Sequence, residues 1–333
     1  MQTERLASAN MYLCMKARHL SACLSVVVLS VLCVLTAAAR RVKVSQLALA
    51  DPYILLDGGT YYAYGTHSPR GIEVYSSPDL KVWHYCGLAY DKRDGDGRRH
   101  FWAPEVYKVE GHFYMYYTAD ERLYVARSSS PLGPFRQISR GPLLREGSID
   151  ASLFVDDDGT PYLTFVRFGG GNSVWLAELN DDLCSLKKGT LRHCLSQSQA
   201  WEKDDKFPHI RVNEGPFLIK HAGKYYLTYS ANDFRSQRYG VGVAIADSLT
   251  AEWHKVDYNP VLQGIKGLVG TGHHSFFRTK RGRLMMAFHT HQSTSQVHPR
   301  LTYFVPVKFV RDAHESQPRL AVGRKLIIPS LKP

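Results

Sequence analysis

"EGPFLIKHAGKYYLTYS", residues 214–230, reads as an apolar strand, a polar turn at Gly223 and an alternating aromatic strand, with the carboxylate of Glu214 at its mouth. That order of features is the signature of a β-hairpin. Four other stretches repeat it: "DPYILLDGGTYYAYGT" from Asp51, "APEVYKVEGHFYMYYTA" from Ala103, "DASLFVDDDGTPYLTFV" from Asp150 and "HHSFFRTKRGRLMMAFHT" from His273. Their turn glycines, Gly59, Gly111, Gly159, Gly223 and Gly282, set a common register, with Pro52, Pro104, Ser152, Pro216 and Ser275 each seven residues earlier. Further strand-like segments such as "GIEVYSSPDLKVWHY" and "YGVGVAIADSLTAEWHKV" lie between the hairpins. A four-stranded unit that recurs about every fifty residues matches one blade of a propeller.

These units predict an all-β chain forming a five-bladed β-propeller over residues 40–333, with no room for a second domain. One four-stranded sheet cannot bury both of its faces, whereas radial stacking buries them and leaves only short edges. An open sandwich is the alternative that strand content alone allows. The segment "RLTYFVPVKFVRD" from Arg300 is expected to close the ring by pairing near Val42 to Leu49. Composition agrees with many short strands: 20 Tyr, 14 Phe and 5 Trp accompany 26 Gly and 16 Pro in 333 residues.

Residues 1–39 have another character. A basic stretch from Met15 to Arg18 precedes an apolar run from Ala22 to Leu35 and the small residues Thr36 to Ala39, the pattern of a secretory signal peptide. Its length is ordinary when counted from Met15. A retained anchor is the rival reading, but the apolar run is short for a span. The expected location is secreted or periplasmic, with no membrane association after signal cleavage. Removal of this segment leaves Cys86, Cys184 and Cys194, too few for a disulfide framework, although a Cys184–Cys194 bridge is open.

The formal charge of +12 falls to +10 without residues 1–39. The basic residues are scattered, Arg98-Arg99-His100 being the densest cluster, and no nucleic-acid motif accompanies them. A solvated basic surface is therefore expected, and no nucleic-acid partner. Oligomeric state is not encoded in any pattern here.

In a propeller the residues just before the innermost strands converge at one end of the axis. Asp51, Asp150, Glu214 and His273 occupy four of these five places, and Trp102-Ala103 the fifth. An Asp before Pro, or at a loop, commonly starts a turn. Glu214 has no helix to cap. By contrast Asp156-Asp157-Asp158 sits at a hairpin turn, where a structural role is expected. Carboxylates facing one cavity suit glycoside hydrolysis, in which one protonated acid serves the leaving oxygen and an ionised partner activates water.

The stretches "ADPYILLDGGTYYAYGT", "FWAPEVYKVEGHFYMYYT", "SIDASLFVDDDGTPYLTF" and "NEGPFLIKHAGKYYLTYS" resemble glycoside hydrolase family 43, whose members are inverting five-bladed propeller enzymes. The resemblance implies Asp51 as general base, Asp150 as the residue that tunes and orients the acid, and Glu214 as general acid. "GTGHHSFF" resembles the family's central-channel motif, which implies a Ca²⁺ or other hydrated cation near His273; no cofactor is implied for the chemistry itself. Zinc at His289 and His291 lacks a third ligand in the sequence. Arg300 resembles the family arginine that reaches sugar hydroxyls, and Trp102 is a candidate sugar platform. The expected substrate is an oligosaccharide or polysaccharide from which α-L-arabinofuranosyl or β-D-xylosyl units are released. Galactosyl or galactofuranosyl substrates, or a non-catalytic carbohydrate-binding propeller, are the alternatives.

Overall fold

The computed structural model describes residues 45–311 and 317–332. The signal-peptide reading of residues 1–39 lies outside them. The described residues are almost entirely β-strand and turn, with two single turns of 3-10 helix at Lys92–Asp94 and Ala200–Glu202.

Five sheets form five blades. Their innermost strands are Ala50–Asp57, Trp102–Val109, Ser148–Val155, Asn213–His221 and Gly272–Arg278. Each turns back into Thr60–Thr66, His112–Ala119, Pro161–Phe168, Lys224–Ala231 or Leu284–Thr290 through the predicted glycine turn. The turn glycines have φ between 74° and 87°, the left-handed conformation that glycine adopts without a Cβ penalty.

The blades bury their faces against one another. Five hydrophobic clusters each draw on two neighbouring blades. One joins Tyr53 and Tyr64 to Val106 and Met115; another joins Tyr116 and Val125 to Leu153 and Phe165. A third joins Val174 and Leu176 to Leu218 and Leu227, and a fourth joins Tyr226 and Val243 to Phe276 and Met286. The last joins Ile54 and Trp83 to Phe277 and Phe304, placing the fifth blade against the first. The ring is therefore closed, and an open sandwich is excluded.

Closure differs from the expected pairing. Leu301–Val310 is the third strand of the last blade, paired with Leu284–Thr290. It still meets the start of the described chain: the Thr302 N–H donates to the Leu47 carbonyl (3.0 Å), the Thr302 hydroxyl bonds to the Leu49 backbone, and the Gln46 side-chain amide donates to the Thr302 carbonyl (2.9 Å). The ladder is closed instead by Ser330–Lys332, which pairs in parallel with Val82–His84 and antiparallel with Ser45–Gln46. These short partners cover the outer edge of the first blade. Cys86, Cys184 and Cys194 are unpaired, so packing and hydrogen bonding stabilise the ring without a disulfide.

Every innermost strand carries a break in register near its start, between Ala50 and Tyr53, Trp102 and Glu105, Ile149 and Ser152, Glu214 and Phe217, and Gly272 and Ser275. At each break one residue has positive φ: Asp51 (51°), Ala103 (42°), Asp150 (60°), Gly215 (52°) and His273 (44°). Bulges of this kind bend a strand and re-aim a side chain, and strained backbone of this sort clusters at functional sites. Here the same irregularity occurs in all five blades at one end of the axis.

Candidate active site

The bulges bring Asp51, Asp150, Glu214 and His273 to the wall of one cavity of about 680 Å³, which Trp102 and Arg300 also line. All six residues singled out in the sequence thus share one space. Asp51, Asp150 and His273 stand at equivalent bulge positions. Glu214 comes one residue earlier in its blade, and Gly215 takes the left-handed place. A Cβ at Gly215 would lie 3.2 Å from the His273 ring, so glycine suits both the backbone and the close approach.

Asp51 is buried within a set of cationic and polar groups. Its Oδ1 lies 3.0 Å from Arg300 Nη1 and 3.3 Å from the Nδ1 atoms of both His273 and His289. Its Oδ2 accepts the Thr66 hydroxyl at 2.5 Å, and Thr66 Oγ1 accepts the Ala103 N–H at 2.9 Å. The Asp51 N–H donates to His289 Nδ1 (3.1 Å). Burial pushes the carboxyl upward, but the Arg300 guanidinium, with His273 beside it, outweighs it and holds Asp51 well below the usual carboxylate range. Burial followed by Arg300 pushes His289 down to about 3, so that imidazole is neutral.

The other two carboxyls are shifted the opposite way. Burial, then the nearby charges of Glu214 and Asp51, push Asp150 well above its ordinary value, against one hydrogen bond from the Gly215 N–H (3.0 Å). Burial also dominates at Glu214, pushing it up to about 7 against donors on both oxygens. Tyr239 O–H donates to Oε1 (2.8 Å) and Asn172 Nδ2 donates to Oε2 (3.0 Å). The site therefore pairs a carboxylate that stays ionised with a carboxylic acid that keeps its proton near neutral pH, the division of labour that acid–base catalysis requires.

Arg300 carries its guanidinium 4.8 Å from the Phe234 ring centroid, and its buried Nε has no hydrogen-bond partner among the described residues. Trp102 is half-buried and stacked on His100, with centroids 4.9 Å apart and planes 15° apart. His289 and His291 do not form a zinc site. His289 faces Asp51, whereas His291 Nε2 lies 2.8 Å from the Phe234 carbonyl. No group of three or more His, Cys, Asp or Glu among the described residues is placed to hold a metal.

Several site residues escaped the sequence reading. Tyr239 and Asn172 come from third strands or the segments beside them, where no repeat register marks them. Thr66, by contrast, stands seven residues after its turn glycine, the place of Thr118 and Ser230 in two other blades, and each of these hydroxyls accepts the N–H of the next blade's bulge residue. Glu105 lies in an innermost strand and lines a small axial cavity with Asp51, Asp150, His273 and His274. It is hydrogen-bonded by the Tyr107 hydroxyl, and burial pushes it up to about 8. The sequence signal for it was an acidic residue near the start of an inner strand whose other residues, Lys108 apart, are apolar or aromatic.

A closed five-bladed ring that holds one ionised and one protonated carboxyl on a single cavity suits the chemistry of a glycoside hydrolase. The sequence profile of glycosyl hydrolases family 43 matches residues 41–313, and the chain belongs to that family. It is 30% identical over 254 residues to a β-D-galactofuranosidase of Aspergillus niger, spanning 68% of this chain and 69% of that protein. It is 26% identical over 285 residues to an extracellular exo-α-(1→5)-L-arabinofuranosidase of Cellvibrio japonicus, spanning 74% and 80%. The structure of an endo-1,4-β-xylanase from Bacteroides thetaiotaomicron superposes with a TM-score of 0.82 at 42% identity, covering 88% of this chain and all of that one. The protein is thus a glycosidase acting on oligosaccharide or polysaccharide.

Proposed function

We propose that the protein releases α-L-arabinofuranosyl or β-D-xylosyl residues from plant polysaccharides or their fragments by single-displacement inversion. The observation that carries this reading is the opposed environment of two carboxyls on one cavity: Asp51 is held ionised and Glu214 is held protonated. Asp51 acts as general base, taking a proton from water as that oxygen attacks the anomeric carbon. Glu214 gives its proton to the departing oxygen as the glycosidic bond breaks. Asp150, hydrogen-bonded to the backbone beside Glu214, tunes and orients the acid. Inverting enzymes keep acid and base roughly 6.5–9.5 Å apart so that water fits between them. The unpartnered Nε–H of Arg300 is a donor for a sugar hydroxyl, and Trp102 is a platform for the sugar's C–H face.

A hydrated Ca²⁺ on the axis belongs to the same reading. Its support is the donor chemistry of the axial cavity. Thr228 Oγ1 donates to the Phe217 carbonyl, so His274 Nε2–H must donate to Thr228 (2.6 Å), leaving the lone pair of buried His274 Nδ1 without a partner. Because no three of the side chains in this cavity are placed to hold an ion directly, and Ca²⁺ prefers oxygen, an ion beside His273 and His274 would keep most of its waters. When bound, the ion supplies fixed positive charge beneath the carboxyls.

Secretion is part of the proposal and rests on the signal-like pattern of residues 1–39 and on relatives named extracellular. Among the described residues no helix is long and apolar enough to cross a membrane. A second reading, galactofuranosidase action, is favoured by the likeness to the Aspergillus niger protein. Kinetics of the purified enzyme on nitrophenyl α-L-arabinofuranoside, β-D-xyloside and β-D-galactofuranoside separate the two. The highest kcat/KM is expected on one of the pentosides. A preference for the galactofuranoside would select the second reading, and hydrolysis of none would remove both.

A further inference from the structure

We infer that Asn172, acting with Tyr239, is a positioning residue that clamps both oxygens of Glu214 and keeps its transferable proton facing the cavity. The inference deepens the proposed mechanism and rests on Glu214 being its general acid. Each carboxyl oxygen has two in-plane lone-pair directions. The Tyr239 hydroxyl takes one on Oε1 (2.8 Å) and the Asn172 amide takes one on Oε2 (3.0 Å). Both tethers fix the carboxyl plane and restrict the acid proton to the directions left over. A single tether would leave the carboxyl free to swing about its remaining torsions, so that few orientations place the proton on the leaving oxygen.

Both partners are held in place at the expense of local freedom. The Asn172 N–H donates to the Arg211 carbonyl at 2.8 Å, and Asn172 bridges in parallel to Val212, two residues before Glu214. This junction ties the third blade to the segment that delivers the acid. It requires Gly171, whose φ is 128° and where a Cβ would fall 2.5 Å from the Arg211 carbonyl oxygen. The run Gly169-Gly170-Gly171 therefore lets the backbone come close enough for the Asn172 side chain to reach across. Tyr239 is fully buried and its ring stacks on His289, with centroids 5.6 Å apart and planes 15° apart. Gly272 lies beneath that ring, where a Cβ would meet it at 2.3 Å. Through His289, which accepts the Asp51 N–H, the clamp on the acid abuts the cluster around the base.

A general acid matters most when the leaving group is basic and little when it is already a good anion. Asn172→Ala and Tyr239→Phe should therefore be assayed on a matched pair, the dinitrophenyl and the methyl glycoside of one sugar, with folding checked by thermal melts. On the methyl glycoside kcat is expected to fall about 10- to 100-fold, part of the 10²–10⁴-fold that a positioned acid supplies. On the dinitrophenyl glycoside the loss is expected to be at least about tenfold smaller. Because both hydrogen bonds pull the acid's pKa down, the alkaline limb of the pH profile should move upward in each variant. Equal losses on the two substrates, or no loss on either, would overturn the inference; Asn172→Ser provides a second variant should Asn172→Ala fold poorly. Glu214→Gln run alongside keeps the two levels apart. If it hydrolyses the methyl glycoside at the wild-type rate, the acid assignment itself fails. If it is crippled while both clamp variants are not, only the clamp fails.

Discussion

Asp51→Asn is expected to lower kcat about 10²–10⁴-fold on every glycoside the enzyme hydrolyses, whatever its leaving group. The amide keeps the shape of the carboxyl but cannot take a proton from water. Asn also tolerates the left-handed backbone that Asp51 adopts, so the bulge survives the change. Water attack is needed for good and poor leaving groups alike, which is why the loss should not depend on them. Arg300 loses its anion in this variant, and a buried charge left alone is destabilising. A lower melting temperature is therefore expected as well, and activity should be measured well below it. Steady-state kinetics on dinitrophenyl and methyl glycosides check the point. Turnover within a few-fold of wild type on either would remove Asp51 from the role of base.

Glu214→Gln gives the complementary result. On methyl or oligosaccharide substrates kcat should fall about 10²–10⁴-fold, because no proton reaches the leaving oxygen, while dinitrophenyl glycosides suffer far less. The pH profile carries the same information. Activity requires Glu214 protonated; its pKa is raised to about 7, so the active form dominates below that value and activity falls as pH rises through it. The acid limb belongs to Asp51. Its pKa is lowered, so the active ionised form persists well below the ordinary carboxylate range and is lost only as pH falls through that depressed value. In wild type this alkaline limb should be full on the methyl glycoside and weak on the dinitrophenyl glycoside, and in Glu214→Gln the dinitrophenyl profile should keep the acid limb alone. Persistence of the alkaline limb would assign it to another group, Asp150 or Glu105, both also raised by burial.

The blades were legible in the sequence because each hairpin turns on a glycine in the left-handed conformation, which punctuates the chain at a nearly constant spacing. Aligning Gly59, Gly111, Gly159, Gly223 and Gly282 places Asp51, Asp150, Glu214 and His273 at one end of the axis before any coordinates exist. What the alignment does not contain is the bulge. The residue that turns left-handed is Asp51, Asp150 or His273 in three blades but Gly215 in the blade of the acid, so Glu214 reaches the cavity from the neighbouring position. The partners that set the protonation states were equally hidden. Asn172 begins a third strand and Tyr239 lies beside the start of another, positions that do not recur from blade to blade. The place of Thr66 does recur, as Thr118 and Ser230, but only the fold shows these hydroxyls reaching the bulge N–H of the next blade. Ring closure was misplaced for a related reason. Leu301–Val310 has the alternation of a sheet strand and is one, whereas the closing segment Ser330–Lys332 is three residues long and carries no pattern. Arg300 was expected as a sugar ligand by resemblance; its contact with Asp51 needed the fold.

Mechanistically, the fold does two things that no single blade can. It gathers side chains from residues 51, 150 and 214 around one cavity, and it gives each a different electrostatic neighbourhood. The first blade's Asp51 is surrounded by groups of the last blade, His273 and His289, with Arg300 just after them. The fourth blade's Glu214 meets only neutral donors. Closing the ring is thus what separates the two protonation states.

The most direct test of this arrangement is the anomeric configuration of the first sugar released, followed by proton NMR before mutarotation. A base that activates water opposite a protonated acid yields inversion: an α-L-arabinofuranoside should first give β-L-arabinofuranose, or a β-D-xyloside α-D-xylose. First formation of the retained anomer would require a covalent glycosyl intermediate on one carboxylate and would contradict the roles of Asp51 and Glu214 derived from this site.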